Sequence, residues 1–247
     1  MLKYLKFPMR NPYPFLIIML MFFTACTTSD LNKVLQGVGG QLPLSQQEVA
    51  GGLKEALVQG IQNGADRASQ TDGFFKNDLI KILLPEDAQR VENTLRQLGL
   101  GAEVDRALLA INRGAESAAK EAKPLFINAI KQMTIQDAFA ILKGEPDAAS
   151  QYLRRSTETQ LIALFQPKIQ EALNEVGATK YYGDLANGYN SLPLTSRKIN
   201  PDLKEYVTER AIDGLFKLVM EEERKIRENP LERSTALMKK VFAAQDK

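Results

Sequence analysis

Hydrophobic positions fall at helical spacing along most of the chain. Val49, Leu53, Leu57 and Ile61 recur every fourth residue behind Ser45 and Glu48, whose S-x-x-E spacing is that of a capping box. Thr71-Asp72-Gly73 breaks that helix. The short apolar run IKILLP at 80–85 reads as a buried connector, since a lone strand would have no partner. Pro85 opens a helix carrying Val91, Leu95 and Leu98, which Gly99 and Gly101 end. An alanine-rich stripe follows at Val104, Leu108, Ile111, Ala115 and Ala119, and alanine on a core face lets helices approach closely. Pro124 restarts a helix with Phe126, Ile130 and Met133; Thr134 with Asp137 caps DAFAILK, and Asp147 caps the next. The stripe Leu161, Ala163, Leu164, Ile169 and Leu173 continues past Pro167, which should kink or split its helix. A short helix at 181–190 and the irregular stretch YNSLPLTSRKINP lead to Asn200-Pro201. That pair starts the longest helix, with Leu203, Val207, Leu215, Leu218 and Ile226 inward. Asn229-Pro230 ends it, and a last helix carries Leu237 and Val241. The pattern predicts an all-α fold, a compact multi-helix bundle of roughly eight to ten helices over residues 45–247 as a single domain.

The first residues have a different character. Lys3, Lys6 and Arg10 stand without an acidic neighbour ahead of the apolar run Phe15–Phe23. That run is shorter than the ~20 residues a membrane span needs and suits the apolar core of a secretory signal. Phe23-Thr24-Ala25-Cys26 follows and resembles a lipobox, with Phe23 where leucine is usual, and Cys26 is the only cysteine in the chain. Residues 1–25 are therefore expected to be a signal peptide, Cys26 the lipidated residue, and 26–44, with Gly37, Gly39, Gly40 and Pro43, a tether. Several acyl chains at roughly 0.8 kcal/mol per buried methylene make a durable anchor. The expected address is the cell envelope, facing the periplasm. Thr27 in place of an aspartate after the cysteine points to the outer membrane.

Removing the leader changes the charge reading. The chain has 32 basic and 30 acidic side chains, and the leader takes Lys3, Lys6 and Arg10 with it, leaving 32 − 3 = 29 basic against 30 acidic. A near-neutral domain without a basic block is not expected to bind nucleic acid. The absence of histidine removes Ser-His-Asp triads, histidine zinc sites and HExxH, while acylation of Cys26 removes a thiol nucleophile. GVGGQ at 37–41 lacks the lysine of a phosphate-binding loop. No metal and no cofactor is expected.

Several segments have a familiar order and spacing: GLKEAL at 52–57, LIKILLPE at 79–86, NRGAESAAKEAKPLF at 112–126, AIKQMTIQDAFAILKGEPDAASQYLRR at 129–155, YNSLP at 189–193 and YVTERAIDGLFKLVMEEERKIRENPLERSTALMKKVF at 206–242. Together they resemble a family of bacterial, predominantly proteobacterial, predicted lipoproteins known only as a domain of unknown function (number 4197). The resemblance implies a helical fold and an exported address, and it implies no activity.

Four polar clusters are candidates for chemistry. Asn112, Arg113 and Glu116 could line a cleft, but at this spacing a local ion pair on a solvated face is the expectation. Arg154 and Arg155 beside Tyr152 could clamp an anion, or one arginine could be buried against helix ends. Glu221-Glu222-Glu223 with Lys225 and Arg227 reads as a charged helix surface. Tyr181, Tyr182, Tyr189 and Asn190, before Leu192-Pro193, could line an amphipathic pocket or pack around the connector. The candidate ligand residues are thus Arg154, Arg155, Tyr181, Tyr182 and Tyr189, with no catalytic set. The expectation is a non-enzymatic envelope lipoprotein that binds a protein partner or acts structurally. A carrier of a small apolar ligand such as a lipid and a carboxylate-dependent envelope hydrolase are the alternatives.

Overall fold

The computed structural model describes residues 44–245 except 98, 192–197 and 199; for a few residues, Tyr181 among them, it describes the backbone alone. The expected leader, Cys26 and the tether up to residue 43 lie outside the described residues. From Ser45 onward the chain forms one compact unit, all-α, with no strand among the described residues.

The elements are α1 (Gln46–Ser69), α2 (Gln89–Gln97), α3 (Gly101–Gln132), α4 (Ile135–Leu142), α5 (Ala148–Glu175), α6 (Ala178–Asn190), α7 (Leu203–Glu228) and α8 (Ala236–Ala243), with short 3-10 turns at Glu86–Ala88 and Pro230–Glu232. Local rules account for several starts. The Ser45 hydroxyl accepts from the Glu48 amide at 3.2 Å, and the Glu48 carboxylate accepts from the Ser45 amide at 2.8 Å. Thr134 and Asp137 do the same for α4 at 3.0 Å each way. These bonds hold the Glu48 and Asp137 carboxyls below their usual range, the Ser45 backbone amide and the Thr134 hydroxyl contributing most.

Neither Pro124, expected to restart a helix, nor Pro167, expected to kink or split one, interrupts its helix. α3 runs without interruption through Pro124, and α5 through Pro167. Each proline forgoes one backbone bond, yet tertiary packing outweighs that cost: Ala118, Ala119, Ala122 and Phe126 on α3 are buried, as are Leu161, Phe165, Ile169 and Leu173 on α5. The bundle is accordingly built from longer helices than the proline punctuation implies. α7 also starts two residues later than Asn200-Pro201 suggests. Asp202 supplies its cap, accepting from the Lys204 amide at 3.0 Å, while Asn200 accepts from the Asp202 amide at 2.9 Å.

α1, α3, α5 and α7 are the long packed elements, and α8 lies along α1. Small residues set their spacing. A Cβ added at Gly64 on α1 would sit 3.3 Å from the Leu218 carbonyl carbon and the Val219 nitrogen of α7, so these backbones approach closely. At the other end of the contact, Gly214 on α7 makes room for the chain between α1 and α2: an added Cβ would lie 2.8 Å from Phe74 Cε1 and 3.1 Å from Ile80 Cβ. Phe126 and Phe216 close the centre edge-to-face, with centroids 5.5 Å apart.

Candidate functional site

The stretch from Thr71 to Leu84 folds through turns bonded within its own backbone as far as Lys81, and side chains on α3 bond the amides of Phe74 and Phe75 and both backbone groups of Ile82. It turns at Asp72, whose φ of 69° is left-handed. Phe74 is buried within these turns, and from Leu79 to Leu84 burial alternates, with Ile80, Ile82 and Leu84 buried and Leu79, Lys81 and Leu83 exposed. Asn112, fully buried, accepts from the Ile82 amide at 2.9 Å and donates to the Ile82 carbonyl at 2.9 Å and the Leu108 carbonyl at 2.8 Å. An amide side chain thus takes the place of a neighbouring strand. Glu116 accepts from the amides of Phe74 at 3.1 Å and Phe75 at 3.2 Å, and from Arg113 at 2.5 Å; Arg113 also binds Asp72 at 2.6 Å. The Lys76 ammonium and the Arg113 guanidinium hold the Asp72 carboxyl below its usual range. This corrects the reading of Asn112, Arg113 and Glu116 as a solvated ion pair: Asn112 and Glu116 are core residues that latch the connector to α3.

The acidic run on α7 is corrected in the same way. Glu222 and Glu223 are only 4% and 7% exposed. Glu223 accepts from the amides of Ala149 at 3.0 Å and Ser150 at 2.8 Å and from the Ser150 hydroxyl at 2.8 Å. A carboxylate from another helix therefore caps α5, where Asp147 was expected to do so; Asp147 instead accepts from the Gln151 side chain at 2.9 Å. Arg227 holds Glu223 at 2.9 Å and reaches the Ile141 carbonyl at the end of α4, also at 2.9 Å. Burial pushes the Glu222 carboxyl up, but hydrogen bonds from Lys225, Asn63 and Arg67 outweigh it and hold the group below its usual range. Arg233, absent from the sequence-level candidates, is buried and donates to the Ile226 carbonyl at 2.9 Å and the Arg227 carbonyl at 2.8 Å, closing the end of α7, with its guanidinium 5.3 Å from the Phe242 ring centre. No buried side-chain nitrogen or oxygen lacks a hydrogen-bond partner among the described residues.

The candidate ligand residues do not converge. Arg154 is engaged within the bundle, 3.0 Å from Glu158 and 2.8 Å from Asp213, with its guanidinium 4.6 Å from the Phe216 ring centre. Arg155 is exposed, as the helical rotation between adjacent residues requires. Tyr189 is half-buried on α6, and Leu192 and Pro193 lie outside the described residues. Tyr182 is buried and lines a cleft of about 320 Å³. Its other described walls are Pro85, Asn200, Asp202, Glu205, Tyr206 and Glu209, with neither Arg154 nor Arg155 among them. Burial pushes the Tyr206 hydroxyl up from its usual value. Glu205 and Glu209, one helical turn apart on α7, make no ion pair with any described residue.

The interior holds a cavity of about 20 Å³ between Leu53, Leu57, Ile61, Leu153, Val219 and Phe242, room for a single water. Among the described residues no group of acidic or cysteine side chains is arranged to hold a metal ion, and no helix is long and apolar enough to cross a membrane.

Comparison with curated proteins and with solved structures finds no match. The sequence from residue 43 to residue 243, nearly all of the helical unit, matches one family, and the chain belongs to it: Protein of unknown function (DUF4197).

Proposed function

We propose that this chain is a lipid-anchored binding module of the bacterial cell envelope, tethered through acylated Cys26 with its helical body facing the periplasm, and that it works without catalysis. The observation that carries the reading is the division of labour among polar groups. Asn112, Glu116, Glu223 and Arg233 are spent on helix ends and on the connector backbone, and Glu222 on side-chain bonds to α1. Groups so committed are poorly placed to cycle protons during a reaction, which asks for a titratable group poised against a substrate. Glu205 and Glu209, two carboxylates without an ion pair among the described residues, instead line a surface cleft with Tyr182 and Tyr206, whose ring centre lies 5.9 Å from the Arg210 guanidinium. Clefts that combine tyrosine with unpaired charge suit recognition. A water-sized interior cavity gives the lipid-carrier alternative no support.

The test is crosslinking in intact bacteria, followed by mass spectrometry of the full chain recovered from membranes. The reading expects a discrete adduct with a defined envelope protein. Recovery of the chain without any discrete adduct, or turnover of peptidoglycan by the purified chain, would overturn it.

A further inference from the structure

The helix nearest the start of the body has an outer face unlike an ordinary solvated surface. α4 turns Ala138, Ile141 and Leu142 into the core. Helical rotation leaves Ile135, Gln136, Phe139, Ala140 and Lys143 on its outward side, with no carboxylate among them. Ile135 is 39% exposed, Ala140 is exposed, and the Lys143 ammonium sits 5.8 Å from the centre of the half-buried Phe139 ring. An apolar strip with a lysine whose charged end reaches past it is the pattern of a helix lying at a lipid interface.

Two further observations say what covers this face. The first is where the chain outside the described residues joins the body. α1 begins at Gln46, directly after the expected tether, and α4 packs along α1. Lys54, about 12 Å along the α1 axis from its start, donates to the Lys131 carbonyl at 3.3 Å, at the end of α3 that leads into α4. The chain between Cys26 and Ser45 can span at most about 65 Å, so an acylated Cys26 keeps α4 within reach of the lipid surface. The second observation is charge. Lys131 and Lys143 are exposed at the two ends of α4. The carboxylates of Asp137 and Asp147 lie off the outward face, bonded to Thr134 and to the Gln151 side chain, while Glu145 is exposed in the turn after α4. The outward side of α4 is therefore positive, which suits anionic headgroups.

We infer that the outer face of α4, Ile135, Phe139 and Ala140 with Lys131 and Lys143, rests on the anionic lipid surface of the membrane that holds the acyl chains. The inference rests on the tether reading and adds a second, reversible contact to it. Its consequence is orientation. Arg227, which holds the Ile141 carbonyl of α4, and Glu205, in the wall of the tyrosine cleft, stand near opposite ends of α7, about 30 Å apart along its axis. A body resting on α4 carries that cleft away from the membrane.

The test uses the acylated full chain in vesicles of phosphatidylglycerol and phosphatidylcholine whose acyl chains are brominated to quench fluorescence. The chain has one cysteine, which acylation blocks, so Ala140→Cys supplies a single free thiol for a fluorophore. Asn187→Cys is the control, exposed on α6 beyond the far end of the 28-residue α5, whose axis is about 40 Å long. Label at position 140 should be quenched and label at 187 should not. Lys131→Gln with Lys143→Gln, both at exposed positions, should lower the ratio of quenched to unquenched label at 140 at least tenfold, read from its two lifetime components. The helical circular dichroism should stay unchanged. Absence of quenching at 140, equal quenching at both positions, equal quenching in phosphatidylcholine alone, or indifference to the double substitution would each overturn the inference. A chain that floats with the vesicles but leaves position 140 unquenched keeps its tether and loses this surface, whereas a chain that does not float with them loses both.

Discussion

Replacing Asn112 separates a core latch from a surface ion pair most sharply. In Asn112→Ala the Ile82 amide and carbonyl lose their partner at a site with no solvent access, whereas the Leu108 carbonyl lies within α3 and can keep its helical bond. Each orphaned buried backbone group costs ~1–3 kcal/mol, so the variant should lose about 3–4 kcal/mol, with a further contribution from the void. Asn112→Leu fills that void and leaves the orphaned groups, so it should lose nearly as much. Asn112→Asp keeps an acceptor for the Ile82 amide but turns a second acceptor toward two carbonyls. Burial then raises the folded-state pKa of the new carboxyl above its unfolded value of ~3.9. Its sign follows: the penalty is smallest below that unfolded value and grows as pH rises through the folded one. Denaturant unfolding followed by circular dichroism, with the slope checked for constancy, measures all three variants. A surface pair is worth only ~0–1 kcal/mol, so losses below about 1 kcal/mol in both the alanine and leucine variants would refute the latch.

Other consequences are open to the same assay. Glu223→Ala uncaps α5 and leaves Arg227 without its carboxylate, and should lose about 3–5 kcal/mol. Gly214→Ala forces a methyl toward Phe74 and Ile80; despite better helix propensity, it should lose about 1–2 kcal/mol. The folded-state pKa values of Glu48, Asp72, Asp137 and Glu222 are depressed, so the stability they contribute is present above the usual carboxylate range and lost as pH falls through the folded values. The unfolding midpoint should therefore drop between about pH 5 and pH 3, and a flat profile there would contradict the assignments.

What the sequence made legible was local. The boxes at Ser45/Glu48 and Thr134/Asp137 are each closed within four residues, and both form. Asn112 and Glu116 carried a usable signal: they continue the stripe through Leu108, Ile111, Ala115 and Ala119, so helical geometry places them on the inward face. Glu222 and Glu223 likewise fall between Val219 and Ile226 on the buried side of α7. Charge suggested a solvated surface for these residues, but position on the stripe decides burial. The missing information was the partner, since Glu223 bonds to amides more than seventy residues away in the chain. Arg233 lies between elements on no stripe, and nothing local marks it as buried. Tyr182 is both buried and at the cleft, so pocket and packing were not separable from sequence, and Glu205, Tyr206 and Glu209 look like an ordinary polar helix face until α6 and Pro85 are set opposite them.

The proposed membrane tether of this chain depends on Cys26. Bacteria expressing the full chain and fed labelled palmitate should yield label in the wild-type protein at the membrane and none in Cys26→Ala. Equal labelling of both proteins, or none in the wild type, would contradict it.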